Sequence, residues 1–126
     1  MTASPSDERR IVGFAPEDKE AVLEALINTR RHAQHAEISL RFQSRTAEAD
    51  QIAAWNAKLS EEIDVLVDRM MDDWLGSAGG IVPRLTLANI QLEGAAAEIK
   101  RRVAVTQQVV DVIGILDGVL AAAVML

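Results

Sequence analysis

Apolar positions recur at three- and four-residue spacing through most of this chain, and the breakers glycine and proline are absent where that rhythm lasts longest. Residues 17–75 contain neither, between Pro16 and Gly76. Avoidance over so long a stretch predicts helix. Ala15-Pro16-Glu17-Asp18 supplies the start, because proline suits a first helical turn and the acids meet the positive end of the helix dipole. Val22, Leu23, Leu26 and Ile27 form the first apolar set. A thinner stripe of Ala33, Ala36, Ile38, Leu40 and Phe42 follows, and then a clear amphipathic face of Ile63, Leu66, Val67, Met70 and Trp74. Gly76-Ser77-Ala78-Gly79-Gly80 is the strongest break. Beyond it, Pro83 opens a second helical run with Leu85, Ala88, Leu92, Ala95, Ile99, Val103, Thr106, Val110 and Ile113 on one face.

The pattern predicts an all-α fold: a long antiparallel helical hairpin or a three- or four-helix bundle, with its main turn at residues 76–83. Residues 1–15 read as a flexible arm and 16–126 as one helical domain. Size limits the choice. A straight helix over 17–75 would be about 90 Å long, whereas a compact domain of this length has a radius of gyration near ~14 Å. The first run therefore bends, between Phe42 and Asp50 or just before Ser60. If the helices flanking 76–83 pair, Trp74 lies near Leu85, Ile63 near Ala96, and Lys100-Arg101-Arg102 near residues 55–59. Arg101 or Arg102 then reaches Glu61 or Glu62, and residues 109–126 lie against residues 33–50.

Composition sharpens this picture. Hydrophobic residues make up 49% of the chain but aromatics only 3%, so the core must be built from Ala, Val, Leu and Ile. The absence of cysteine excludes disulfides, thiolate metal sites and cysteine nucleophiles. A net charge of −6 opposes nonspecific attraction to nucleic acid or anionic lipid. Residues 1–15 have no apolar core of a secretory signal, which makes a cytoplasmic protein the expectation.

The last stretch, VVDVIGILDGVLAAAVML, is apolar apart from Asp111 and Asp117. A central Asp costs about 2.5–3.5 kcal/mol on insertion into a membrane, so a buried helix is the favoured reading over a span. A helix apolar all round needs neighbours on several sides, which points to self-association. Val109, Val110, Ile113, Leu116 and Leu120 would form the interface, with Asp111 and Asp117 setting its register. Gly114 and Gly118, four apart, permit close backbone approach.

Candidate chemistry is sparse. His32 and His35 share a helix face but read as solvated, and the Glu-x-x-His pattern of helical di-iron sites does not occur. Glu61, Asp64, Asp68, Asp72 and Asp73 make an acidic stripe that reads as a solvated face. No phosphate loop, nucleotide fingerprint or hydrolase elbow is present. Arg30 and His35 form an Arg-x4-His pair that resembles the signature of the helical HEPN ribonucleases. That resemblance covers six residues and the helical class. It implies arginine and histidine acting together at a dimer interface on an RNA phosphodiester.

Trp74-Leu75-Gly76 resembles the turn of the Trp-x-Gly (WXG) secreted proteins and implies an exported helical hairpin. The chain lacks the tyrosine of that family's C-terminal export signal. The leading expectation is a non-enzymatic helical protein that oligomerises or docks a protein partner through its C-terminal helix, without cofactor, metal or nucleic acid. A HEPN-like ribonuclease and an exported or membrane-active hairpin are the alternatives.

Overall fold

The computed structural model describes residues 16–69 and 81–126. They form four α-helices and no strands: α1 Pro16–Phe42, α2 Thr46–Asp68, α3 Ile81–Lys100 and α4 Val105–Val124. The fold is the four-helix form of the all-α class. The first run breaks between Phe42 and Thr46, in the earlier of the two expected places.

The break has a definite geometry. The Ser44 N–H donates to the Arg41 carbonyl at 3.1 Å, and the Arg45 N–H to the Leu40 carbonyl at 2.9 Å. These are the two bonds of a Schellman cap, whose penultimate residue takes a left-handed backbone. Here that residue is Ser44, with φ 60°. The second run breaks in the same way, where a single helix was expected to continue. The Arg102 N–H reaches the Ile99 carbonyl at 3.0 Å and the Val103 N–H the Glu98 carbonyl at 2.9 Å. Arg102 has φ 63° and Ala104 φ 44°.

The second break shifts the apolar register. The core positions of α4 are Val105, Val109, Val112, Leu116, Val119 and Ala123. Val103 and Thr106, which continue the spacing of Leu85 to Ile99, are exposed, and so is Val110, which the sequence assigns to the interface. In α3, by contrast, Leu85, Ala88, Leu92, Ala95 and Ile99 are all buried as their spacing predicts.

Each Schellman turn closes an antiparallel hairpin. In the first, Arg41 bridges Glu37 of its own helix and Asp50 of α2, both at 3.0 Å, and Asn56 donates to the Arg30 carbonyl at 3.3 Å. The hairpins stack so that α1 lies along α3 and α2 along α4. Asn89 meets Ala25 and Thr29 while Gln43 meets Ile99, so α1 and α3 run the same way. Arg45 reaches Thr106 and Arg69 reaches the Leu126 carbonyl, so α2 and α4 do too.

Helices α2 and α3 are diagonal and make no contact. This overturns the expected pairing across residues 76–83, including Ile63 with Ala96 and the Arg101–Glu61 contact. It also overturns the placing of 109–126 against 33–50, since α4 packs chiefly on α3 and α2. The physical reason is loop length. Three- and four-residue connections force neighbours at 43–45 and 101–104, whereas the longer link leaves α3 free to choose α1. Ile81, Val82 and Pro83 already belong to the first turn of α3. The remainder of the expected turn, with Trp74, and the expected arm at 1–15 lie outside the described residues.

The core is aliphatic, as composition requires. Leu26, Leu40, Ile52, Leu59, Leu66, Leu85, Leu92, Ile99 and Leu116 are its largest fully buried side chains apart from two valines and a threonine. Ala33, Ala36 and Ala49 are also fully buried and let the helices of the first hairpin approach closely. Thr29 is the one buried polar side chain among the described residues. Its hydroxyl donates to Asn89 Oδ1 at 2.9 Å, while Asn89 Nδ2 donates to the Ala25 carbonyl at 3.1 Å. This small polar knot pins α1 to α3.

Candidate functional site

Two surfaces carry more chemistry than a solvated bundle needs. The first is the outer face of the α3–α4 hairpin. By length and composition α4 is apolar enough to cross a membrane, yet only 28% of its most apolar stretch is buried within the molecule. A core helix would be mostly covered; this one is not.

The residues expected to form the α4 interface divide accordingly. Val109 and Leu116 point into the core, Ile113 and Leu120 are half-buried, and Val110, Asp111 and Asp117 are exposed. The two aspartates therefore need no buried donors. Asp111 accepts a hydrogen bond from Gln107 at 2.9 Å on the surface. Val109 and Leu116 are core residues rather than free interface residues because the 101–104 break rotates the helix.

Beside α4, α3 exposes Leu87 and Ile90, with 56% and 62% of their surfaces in solvent. Sequence reasoning missed both, because attention fell on the more apolar last helix. The signal was available for Leu87: Arg84, Leu87, Gln91, Gly94 and Glu98 follow a three–four–three–four spacing, one residue and so about 100° from the buried set. Between the helices runs a groove of about 800 Å3, lined by Gln91, Gly94, Glu98, Val110, Asp111 and Gly114 among others. It continues past Gln91 and Ile115 to Arg84, Gly118 and Ala122. A Cβ built on Gly94, Gly114 or Gly118 would meet nothing within 4 Å, so no contact inside the molecule requires a glycine there.

The second surface is a cleft of about 610 Å3 between the parallel helices α1 and α3, at the end where both hairpins turn. His32, His35, Ile38 and Phe42 of α1 face Glu93, Ala96, Ala97 and Lys100 of α3, with Arg102 at the rim. Gln43 closes the end by donating to the Ile99 carbonyl at 2.6 Å. Burial pushes the His32 imidazole below its ordinary value of 6.5; Glu93 opposes that shift, and His35 and Arg31 add to it. His32 is therefore neutral at pH 7.

Other sequence candidates do not converge. His35 opens onto the cleft, whereas the backbone of Arg30 is tied to Asn56 on the opposite, α2 side. Five residues apart on one helix, the Arg30 and His35 side chains leave it about 140° apart. Glu61, Asp64 and Asp68 are exposed; Asp72 and Asp73 lie outside the described residues. No three His, Cys, Asp or Glu side chains among the described residues are arranged to hold a metal ion.

No protein-family model, curated protein or solved structure matches the chain.

Proposed function

We propose that this protein acts by binding rather than catalysis, and that it assembles with a second copy of itself through the outer face of α3 and α4. The observation that supports the reading is the charge pattern across the exposed apolar ridge. Arg84 and Glu98 each lie seven residues from Gln91 on α3, on opposite sides of it. Seven residues are about 10.5 Å of helix. A two-fold axis at Gln91 with antiparallel α3 helices therefore sets Arg84 of each copy against Glu98 of the other.

Asp111 lines the groove at the Glu98 end and adds a second carboxylate for the incoming arginine. This is the register role expected of Asp111. The same axis brings each Leu87 over the other copy's groove near Gly94 and Gly114, where missing side chains leave room for it. A patch that complements itself about an axis is what an isologous dimer requires.

The face is two helices wide and about 30 Å long. With helices about 10 Å apart, it offers roughly 600 Å2 per copy, near the lower bound for a specific interface. Glu98 holds Arg101 at 3.4 Å in an exposed pair, which is readily exchanged.

Light scattering with charge-swapped variants tests the reading. The wild type should be a dimer at micromolar concentration. Arg84→Glu and Glu98→Arg should each shift it toward monomer, and the double swap should restore the dimer. A monomeric wild type, or a double swap no better than either single, would refute the arrangement. Co-sedimentation with anionic vesicles by a monomeric wild type would identify the apolar face as membrane-binding instead.

A further inference from the structure

The cleft between α1 and α3 has features the dimer does not use. We infer that it is a binding site for a small amphipathic anion, with an apolar body against Phe42 and Ala96 and a phosphate or carboxylate head between Lys100 and Arg102. Its volume, about 610 Å3, lies within the range of about 300–1,000 Å3 typical of small-molecule sites. Its walls mix apolar surface from Ile38, Phe42, Ala96 and Ala97 with polar groups along its length, and the two cations Lys100 and Arg102 lie together at the end where the hairpins turn.

Two independent observations point to a ligand. The first is Arg102. It occupies the left-handed position of the Schellman turn, with φ 63°, where glycine is the unstrained choice. A non-glycine residue there bears a backbone cost; Ser44 and Ala104 bear it too, and of the three only Arg102 brings a charged side chain to the rim of a cleft. Lys100, in the last turn of α3, complements the helix dipole. Arg102 lies beyond the helix end, and that argument does not account for its conformation.

The second is Phe42, which leaves 84% of its surface in solvent at the cleft rim. An aromatic ring there, in a chain with only 3% aromatic residues, offers a stacking face to something that enters.

Charge selects the sign of the ligand. Neither Lys100 nor Arg102 makes an ion pair with any described residue. Glu93 is the one carboxylate lining the cleft, so an acidic protein of net charge −6 presents a locally cationic pocket. His32 and His35 line the α1 wall of the same cleft.

The chain has two histidines, both in the cleft, so their imidazole proton resonances report on it directly. The probes are phenyl phosphate and, for a carboxylate head, benzoate. At least one should shift both resonances saturably, and inorganic phosphate and phenol should each bind at least about tenfold more weakly than that probe. The variant Lys100→Gln/Arg102→Asn keeps a residue tolerant of the left-handed backbone. It should bind about tenfold or more weakly with an unchanged circular dichroism spectrum and melting temperature. Arg84→Glu should bind as the wild type does. Absence of a saturable shift with either probe, or equal binding by the charge-depleted variant, would overturn the proposal. So would equal affinity for inorganic phosphate and phenyl phosphate.

Discussion

Replacing Gly94, Gly114 and Gly118 together by alanine should raise the stability of the isolated subunit and weaken the dimer. All three are exposed positions inside helices, and a methyl group at any of them meets no atom within 4 Å. A helical glycine costs about 0.5–1 kcal/mol relative to alanine, because the unfolded glycine has more backbone freedom to lose. With no new clash, three replacements should gain about 1.5–3 kcal/mol. For a domain of 126 residues, each kcal/mol moves the melting temperature by roughly 3–6 °C. The total is about 5–18 °C.

In the proposed dimer the methyls at positions 94 and 114 would fill the groove that is to receive Leu87 of the other copy. Overfilling a packed contact costs about 1–3 kcal/mol, a rise in Kd of roughly five- to 150-fold. Circular dichroism melts at high dilution, where the subunit is alone, give the first sign. Sedimentation velocity across a concentration series gives the second. A variant that melts lower at high dilution would refute the open surroundings of the glycines. One that dimerises like the wild type would refute close approach at the groove.

Three further outcomes are expected. Ser44→Gly should stabilise the protein by about 0.5–1 kcal/mol in urea denaturation, because glycine occupies the left-handed position at φ 60° without a Cβ clash. Thr29→Val should cost about 1 kcal/mol in the same assay, since it removes the buried hydroxyl that donates to Asn89. Stability should fall as the solution is acidified from pH 7, because His32 is lowered in the folded state and the unfolded chain takes up the proton first. That contribution is complete above the ordinary value of 6.5 and is lost as pH falls through the lower folded value. His32→Gln should flatten the slope of the urea midpoint against pH over this range.

Much of the architecture was legible where burial alone decides. The α3 set from Leu85 to Ile99 and the α2 pair Ile63 and Leu66 are buried as their spacing predicts. The helix ends were harder, because both short turns place a non-glycine residue, Ser44 or Arg102, where a sequence reader looks for glycine. Missing the second turn misassigned one face of α4 and placed Val109 and Leu116, which are buried, on an outer interface. Pairing was illegible for another reason. Residues near in sequence usually pack together, but α2 and α3 are diagonal, and periodicity carries no information about which apolar faces meet. The cleft is wholly non-local. His32 and His35 with Lys100 and Arg102 were visible as two small clusters, yet only the parallel alignment of α1 and α3 brings them together.

The two like-ended turns also have a kinetic consequence. Each joins helices through three or four residues, so each hairpin is rich in local contacts and closes at little entropic cost. That order of costs favours hairpins that close before α1 docks on α3 and α2 on α4. Substitutions in the turns, such as at Ser44, should therefore act mainly on the folding rate. Those at the α1–α3 seam, such as at Thr29, should act mainly on the unfolding rate. The polar knot between Thr29 and Asn89 then works as a latch on a finished molecule, setting how long it stays folded rather than how quickly it gets there.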